Sequence, residues 1–258
     1  MNVIRFNYHS IDSTNSEARR FWYRPETRQE AARACSEGRR LAWVFIAEEQ
    51  SSGRGRLGRS WISPKGGLWL TLLWPVTAGP MELQTVPLVI GLAVLESIEK
   101  ETPVQSMIKW PNDVLTNGRK VCGILCELES HKEVSALIIG IGVNANIRVS
   151  DLCLDAKDPV TTLLDETGVE TNLVRLESDL LERLPQKLLT FEAEGLSPFL
   201  PLINTRLAWV NRTVSVSGSE AGEVRGVLRG VDERGRLVIE RAGNLLYLLS
   251  GQLRASGD

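Results

Sequence analysis

Histidine is almost missing from this chain: among 258 residues there are only His9 and His131. So few imidazoles leave almost no room for histidine triads or histidine-rich metal sites. The four cysteines, Cys35, Cys122, Cys126 and Cys153, show no repeated pair spacing. Neither a zinc site nor a disulfide framework is therefore indicated. Cys122 and Cys126 would share one face of a strand and pack as small hydrophobes. No apolar run approaches a membrane span, and Met1 to Ser10 lacks the apolar core of a signal peptide. A reducing, cytoplasmic setting is expected. Formal net charge is −2, so no global basic field recruits nucleic acid. A Walker-type phosphate loop is absent, as are His-Arg-Asp and Asp-Phe-Gly, which excludes the common phosphate-loop and kinase sites.

What remains is ordinary in bulk: 43% hydrophobic and 24% charged residues, typical of a globular protein. The length suits one large domain and a small one. There is no internal repeat and no low-complexity segment.

Acid is also absent from Gln50-Ser-Ser-Gly-Arg-Gly-Arg-Leu-Gly-Arg-Ser-Trp61, which holds three glycines and three arginines. Three guanidinium groups are not core, and glycines so closely spaced weaken helix and strand alike. Glycine permits close approach of backbone to a ligand, and arginine offers a fixed fork to carboxylate or phosphate. The residues alone leave two readings open, an anion clamp or a solvated basic loop. Gly53-x-Gly55-x-x-Gly58 mimics the dinucleotide fingerprint, but Trp61 to Gly67 cannot form the helix that fingerprint opens. With its own positive charge self-repelling, the loop is expected to order when ligand binds.

Along the chain, Val3–Ile11 reads as a strand. Thr14 with Glu17 has capping-box spacing, which places a helix start near Asn15. A second helix is expected from Arg28 to Glu37, with Gly38 as its C′ residue. Leu41–Ala47 and Leu68–Trp74 are apolar strands, the latter stopped by Pro75. Leu83–Lys100 is helical, Met107–Lys109 a short strand. Asn117-Gly118 between apolar runs signals a hairpin, and Val134–Val143 is the next strand. Residues 147–159 read as an irregular, mobile loop. Helices follow over 172–194, kinked near Pro185, and 197–209. From Val210 short strands alternate with glycine-rich turns. Domains of 1–209 and 210–258 are expected, the second too small for secure independent stability. The mixed order with a hairpin argues for an α+β fold with helices on one face of the sheet.

Three further stretches bear on chemistry. Lys109-Trp110-Pro111-Asn112-Asp113 puts a lysine, an amide and a carboxylate at one corner, although Asn112 and Asp113 also suit a plain turn. Lys120-Val-Cys-Gly123-Ile-Leu-Cys-Glu127 carries a glycine inside a strand, either for a ligand's approach or for a bulge. Gly140-Ile-Gly142-Val-Asn144 again clears space at a strand end.

Together with Ser13-Thr14-Asn15, these motifs in this order resemble the biotin protein ligase family, the biotin–acetyl-CoA-carboxylase ligases. The resemblance runs from near the N-terminus to about residue 146 and extends to the small C-terminal module. It implies a catalytic domain like that of class II aminoacyl-tRNA synthetases, followed by an SH3-like domain. It implies activation of biotin by ATP to biotinyl-5′-AMP, then transfer to a lysine of the biotin carboxyl carrier protein of a biotin-dependent carboxylase. By similarity, Ser13, Thr14, Asn15, Gln50, Gly53, Arg54, Arg56, Lys120 and Gly123 surround biotin. Arg56, Arg59, Trp61, Lys109, Asn112 and Asn144 match the nucleotide side. Arg56, Lys109, Asp113 and Lys120 are the catalytic candidates, with Asp113 helping to deprotonate the incoming lysine. Mg²⁺ is expected with ATP, its ligands unassigned, and the 147–165 loop is where adenine contacts are sought. No nucleic acid or membrane partner is expected, and the protein would be a monomer or homodimer. With Ser13 already in the catalytic part, a DNA-binding domain and repressor role are not expected. Phe21 to Arg40 is longer than the family spacing and should add surface helix. Gln252 stands where glutamate is expected. A lipoate or octanoate ligase shares the implied fold; a non-catalytic biotin sensor and an arginine-loop nucleic-acid binder are the rivals of other classes.

Overall fold

The structure is a computed structural model that describes residues 2–76, 85–131, 134–152 and 158–256. It divides into two compact units, one of residues 1–83 with 121–173 and one of residues 84–120 with 174–258. Residues 84–120 and 174–209 group with the C-terminal strands.

In the first unit, β1 (Asn2–Ile11) pairs in parallel with β2 (Leu41–Gln50). Parallel neighbours need a crossover, supplied here by α1 (Thr14–Trp22) and α2 (Pro25–Ser36). The cap of α1 is Ser13, whose side chain accepts from the Ser16 N–H at 3.4 Å. This corrects the Thr14 capping box: Thr14 turns inward instead. α2 starts at Pro25 rather than Arg28, since proline at the first helical position loses no hydrogen bond. It ends as expected, with Gly38 at φ +67°. The extra length between Phe21 and Arg40 is thus a helix, but not a purely surface one. Ala31 and Ala34 join Ala18, Trp22, Trp43, Phe45, Leu73 and Ile138 in one buried cluster.

β2 continues antiparallel to β3 (Leu68–Val76), β3 to β7 (Ser135–Val143), and β7 to β6 (Arg119–Glu129). Pro75 does not stop β3; it sits opposite Ala136 near the strand's end. A short helix α4 (Leu163–Thr167), which sequence reasoning missed, is capped by Thr162, whose Oγ1 accepts from the Asp165 N–H at 3.0 Å. Thr162-x-x-Asp165 was its available signal. Within the expected loop, Val149–Leu152 forms a 3₁₀ turn. Leu83, Cys153 and the rest of that loop to residue 157 lie outside the described residues.

In the second unit, α3 (Val86–Glu101) packs against the hairpin of β4 (Ser106–Lys109) and β5 (Asp113–Thr116). Asn117 and Gly118 both have positive φ, as a tight Asn-Gly turn requires. α5 (Leu173–Glu194) runs unbroken through Pro185, and α6 (Leu200–Arg206) ends earlier than expected. Past its end, the Ala208 N–H bonds the Ile108 carbonyl at 2.8 Å, which pulls the chain into an extended course beside β4.

The C-terminal strands are β8 (Thr213–Ser219), β9 (Gly222–Val231), β10 (Leu237–Arg241), β11 (Asn244–Leu248) and β12 (Gln252–Ala255). They form an antiparallel sheet in the order β11-β10-β9-β8-β12. Sequence reasoning missed β12, which carries Gln252 opposite Ser217. The mixed sheet, helices and small all-β module make the chain an α+β protein. Among the described residues no helix is long and apolar enough to cross a membrane.

Candidate active site

Parallel pairing of β1 and β2 places their C-terminal ends together: Ile11 lies opposite Gln50. That register explains why Ser13, Thr14 and Asn15 meet Gln50 despite their separation in sequence. The Thr14 N–H donates to Gln50 Oε1 at 2.8 Å, and Thr14 Oγ1 lies 3.1 Å from the same oxygen. Gln50 Nε2 donates to Ser63 Oγ at 2.8 Å, and the Ser63 hydroxyl donates to the Trp61 carbonyl at 3.0 Å. The amide of Gln50 therefore ties the end of β1 to the far side of the basic loop.

The network reaches further through a residue that sequence reasoning passed over. Thr71 is the lone hydroxyl in the apolar run of β3 and has no exposed surface. A buried polar group needs partners. Thr71 Oγ1 finds two, Thr14 Oγ1 at 2.8 Å and Asn15 Oδ1 at 2.7 Å. Asn15 Nδ2 in turn donates to Glu127 Oε2 at 3.2 Å. The hydroxyl within an otherwise apolar strand was the signal available.

The glycines of β7 clear space as expected, but for the protein's own side chains. A Cβ on Gly140 would lie 2.0 Å from Asn15 Oδ1, and one on Gly142 would lie 2.6 Å from Trp61 Nε1. Gly140 faces Thr71 across β3, while Gly142 faces Gly123 across β6. Trp61 packs beside Trp69, Ile147, Leu152 and Val160.

The basic loop is a closed hairpin. The Gly55 N–H bonds the Arg59 carbonyl at 2.7 Å, and the Trp61 N–H bonds the Gly53 carbonyl at 2.8 Å. Gly53 is buried, Arg56 half-buried, Arg59 exposed. These backbone bonds close the loop on itself. Part of the charge repulsion is also offset, because Arg54 donates to Glu127 at 3.2 and 3.3 Å. Leu57 sits at the tip, 81% exposed.

Asn144 is 2% exposed, and its Nδ2 donates to the Thr161 carbonyl at 3.2 Å. Its amide thus brackets the start of α4, a use not foreseen from the sequence. Cys122 and Cys126 are free thiols, Cys122 buried and Cys126 half-buried. Burial pushes the Cys126 thiol up, so it stays protonated.

Lys109, Asn112, Asp113 and Lys120 all lie in the second unit. Lys109 and Asp113 are directly opposed across the β4–β5 hairpin. Asp113 Oδ1 is 2.6 Å from Lys120 Nζ. Lys109 is 6% exposed, and its Nζ stands 5.9 Å over the Trp209 ring. Trp110 is buried, and its Nε1 donates to the Gly235 carbonyl at 3.0 Å.

The sequence model of the Biotin/lipoate A/B protein ligase family matches residues 26–144. The biotin--[acetyl-CoA-carboxylase] ligase of Paracoccus denitrificans is 32% identical over 77% of this chain and 83% of its own. The chain belongs to the biotin protein ligase family. A further family member, the bifunctional ligase/repressor BirA of Escherichia coli, is 33% identical over 81% of this chain, which spans 64% of BirA's length. Among solved structures, biotin protein ligase from Aquifex aeolicus in complex with biotin and ATP aligns with a TM-score of 0.78. It is 29% identical and covers 98% of this chain and 99% of its own. The likeness to that structure extends over both the mixed sheet and the C-terminal module.

In chemical terms, the first unit offers a buried chain of neutral donors and acceptors beside an arginine hairpin. The second offers Lys109 at the end of β4, Asp113 at the start of β5 and Lys120 at the start of β6. Among the described residues no cluster of three or more His, Cys, Asp or Glu side chains could hold a metal ion.

Proposed function

We propose that this chain is a biotin protein ligase. It activates biotin with ATP and passes it to a lysine of the biotin carboxyl carrier protein of a biotin-dependent carboxylase. The observation that carries this reading is the neutral Thr14–Gln50–Thr71–Asn15 network set beside the Arg54–Arg59 hairpin. A ureido ring needs neutral donors and acceptors; a carboxylate and a phosphate need fixed positive forks. A lipoate dithiolane would make no use of such a network.

In the first step a biotin carboxylate oxygen attacks the α-phosphorus of ATP and pyrophosphate leaves. The nucleophile is already ionised at neutral pH, so no general base is needed. Two anions must instead be held in contact, which is a matter of charge and positioning. Arg56 and Lys120 neutralise the carboxylate and α-phosphate in this proposal. Arg59, Trp61, Lys109, Asn112 and Asn144 serve the nucleotide. Ser13, Thr14, Asn15, Gln50, Gly53, Arg54 and Gly123 hold biotin.

In the second step the carrier's lysine nitrogen attacks the acyl carbon of biotinyl-5′-AMP and AMP leaves. The amine must lose a proton. Asp113 is assigned to assist, with one oxygen engaged by Lys120 and the other left to receive it.

The test is adenylate formation by purified protein with Mg²⁺, α-labelled ATP and either biotin, lipoate or no acid. Biotinyl-AMP formed only with biotin is expected. Lipoyl-AMP as the main product, or no adenylate with either acid, would overturn the proposal.

A further inference from the structure

Glu127 plays no part in the chemistry above, yet three side chains converge on its carboxylate. Asn15 Nδ2 lies at 3.2 Å, Arg19 Nη2 at 2.7 Å, and the Arg54 guanidinium at 3.2 and 3.3 Å. Burial opposes its charge, but hydrogen bonds from Arg19 and Asn15 outweigh this and hold it below the ordinary carboxylate range. An ionised carboxylate only accepts hydrogen bonds.

That one-sidedness propagates. Asn15 must turn its NH₂ toward Glu127, because the opposite orientation would set a carbonyl oxygen against a carboxylate. Asn15 Oδ1 then faces Thr71 Oγ1 at 2.7 Å, and an oxygen without a proton needs a donor. A hydroxyl carries one proton, so Thr71 gives its own to Asn15. The 2.8 Å contact between Thr71 and Thr14 must therefore take its proton from Thr14. The other neighbour of Thr14 Oγ1, Gln50 Oε1 at 3.1 Å, is also an acceptor. Either way the single proton of Thr14 points into the protein, and a lone pair is what it offers a ligand.

We propose that Glu127 is a positioning residue that sets the proton direction along Asn15, Thr71 and Thr14, so that Thr14 meets the substrate as an acceptor for a ring N–H. This rests on the reading of the chain as a biotin-activating enzyme, since a ureido ring supplies such an N–H. A site built to accept from an N–H strongly rejects an isostere lacking it, because two acceptors then face each other.

Glu127→Gln keeps the shape but gives the position a donor. Its amide can bond Asn15 Oδ1, Asn15 turns over, the Thr71 proton passes to Thr14, and the Thr14 proton, released from Thr71, is shared between Gln50 Oε1 at 3.1 Å and the ligand. Calorimetry without ATP would compare biotin with the two analogues in which one ureido N–H is replaced by oxygen. Wild-type protein should prefer biotin over at least one of them by roughly a hundredfold or more. Glu127→Gln should shrink that ratio about tenfold or more, and Asn15→Ala, which cuts the chain, should shrink it too. Glu129→Gln removes only the other partner of Arg19 and of Tyr23 and should keep the wild-type ratio. Affinities that fall equally for both ligands, leaving the ratio unchanged in folded Glu127→Gln or Asn15→Ala, would overturn the proposal. So would a wild type that does not discriminate. Wild-type protein that makes biotinyl-AMP while the ratio ignores Glu127 sinks this inference alone; wild-type protein that makes none sinks the enzymatic reading instead.

Discussion

At the scale of single residues, the two glycines of β7 show how closely the site is packed. A methyl at Gly140 would overlap Asn15 Oδ1 at 2.0 Å, and one at Gly142 would crowd the Trp61 indole at 2.6 Å. Neither neighbour is the far end of a long, flexible chain. Overpacking of this kind typically costs about 1–3 kcal/mol. The two substitutions should separate by substrate. Gly140→Ala is expected to weaken biotin binding at least about tenfold with little change in KM for ATP. Gly142→Ala should raise KM for ATP more than for biotin. Steady-state adenylation with each substrate varied checks this, and identical effects on both constants would contradict the assignment of Asn15 and Trp61 to different ends of the reaction. Asp113 adds a prediction of its own. Asp113→Asn should slow transfer from preformed biotinyl-AMP, with the loss shrinking as pH rises and more of the incoming amine is already neutral. Full transfer at neutral pH would remove it from the second step.

At the scale of elements, the C-terminal sheet is held to the Lys109–Asp113 corner. Trp110 on that corner reaches the turn between β9 and β10 through one buried hydrogen bond to the Gly235 carbonyl, 3.0 Å long. Asn204 of α6 adds a second tie. It donates to the Val231 carbonyl at 3.0 Å and accepts from the Val231 N–H at 2.7 Å. A module too small to rely on its own core is thereby stabilised by neighbours in its unit. Trp110→Phe removes the donor, leaves the Gly235 carbonyl unpaired and opens a small cavity at a buried site, a loss of at least about 1–3 kcal/mol. Denaturant unfolding should show that loss as a lower midpoint with an unchanged slope. An unchanged midpoint would mean that the corner does not anchor the sheet.

At the scale of the whole molecule, acid stability is set where α3 meets α5. Asp179 takes Lys100 Nζ at 2.5 Å and Arg183 Nε at 2.5 Å, while Glu96 takes Arg183 and Lys187 at 3.0 Å each. Burial works against the Asp179 charge, but bonds from Arg183 and Lys100 prevail and hold its carboxyl down to about 2 from an ordinary 3.8. A depressed acid contributes stability that is complete above its unfolded value and lost as pH falls through its folded one. The contribution of Asp179 is thus present at neutral pH and disappears between about pH 4 and pH 2. Asp179→Asn should lower the unfolding temperature at pH 7, with the difference from wild type shrinking below pH 4. A difference that persists unchanged at pH 2 would show that packing, not charge, is what Asp179 supplies.

Much of the architecture was legible from local chemistry. Apolar runs marked β2, β3 and β7, Asn117-Gly118 marked its turn, and the texture after Val210 marked a separate small sheet. Element ends were less legible, because caps are decided by which hydroxyl is free. Ser13 caps α1 because Thr14 is drawn into the core by Thr71. The family motifs pointed to the biotin protein ligase family and supplied the candidate site residues. Residue types and spacing displayed the motifs, an acid-free arginine loop, a Lys-Trp-Pro-Asn-Asp corner and glycines at a strand end, and the resemblance supplied their implied roles. Only the tertiary structure decided which groups face one another. It brought in Thr71 and Glu127, gave the space above Gly140 to Asn15, and turned a donor of Asn144 Nδ2 to the Thr161 carbonyl. The physical reason is that hydrogen-bond partners are chosen by strand register. The pairings of Ile11 with Gln50 and of Thr71 with Gly140 join residues whose separation in the chain carries no trace of the contact.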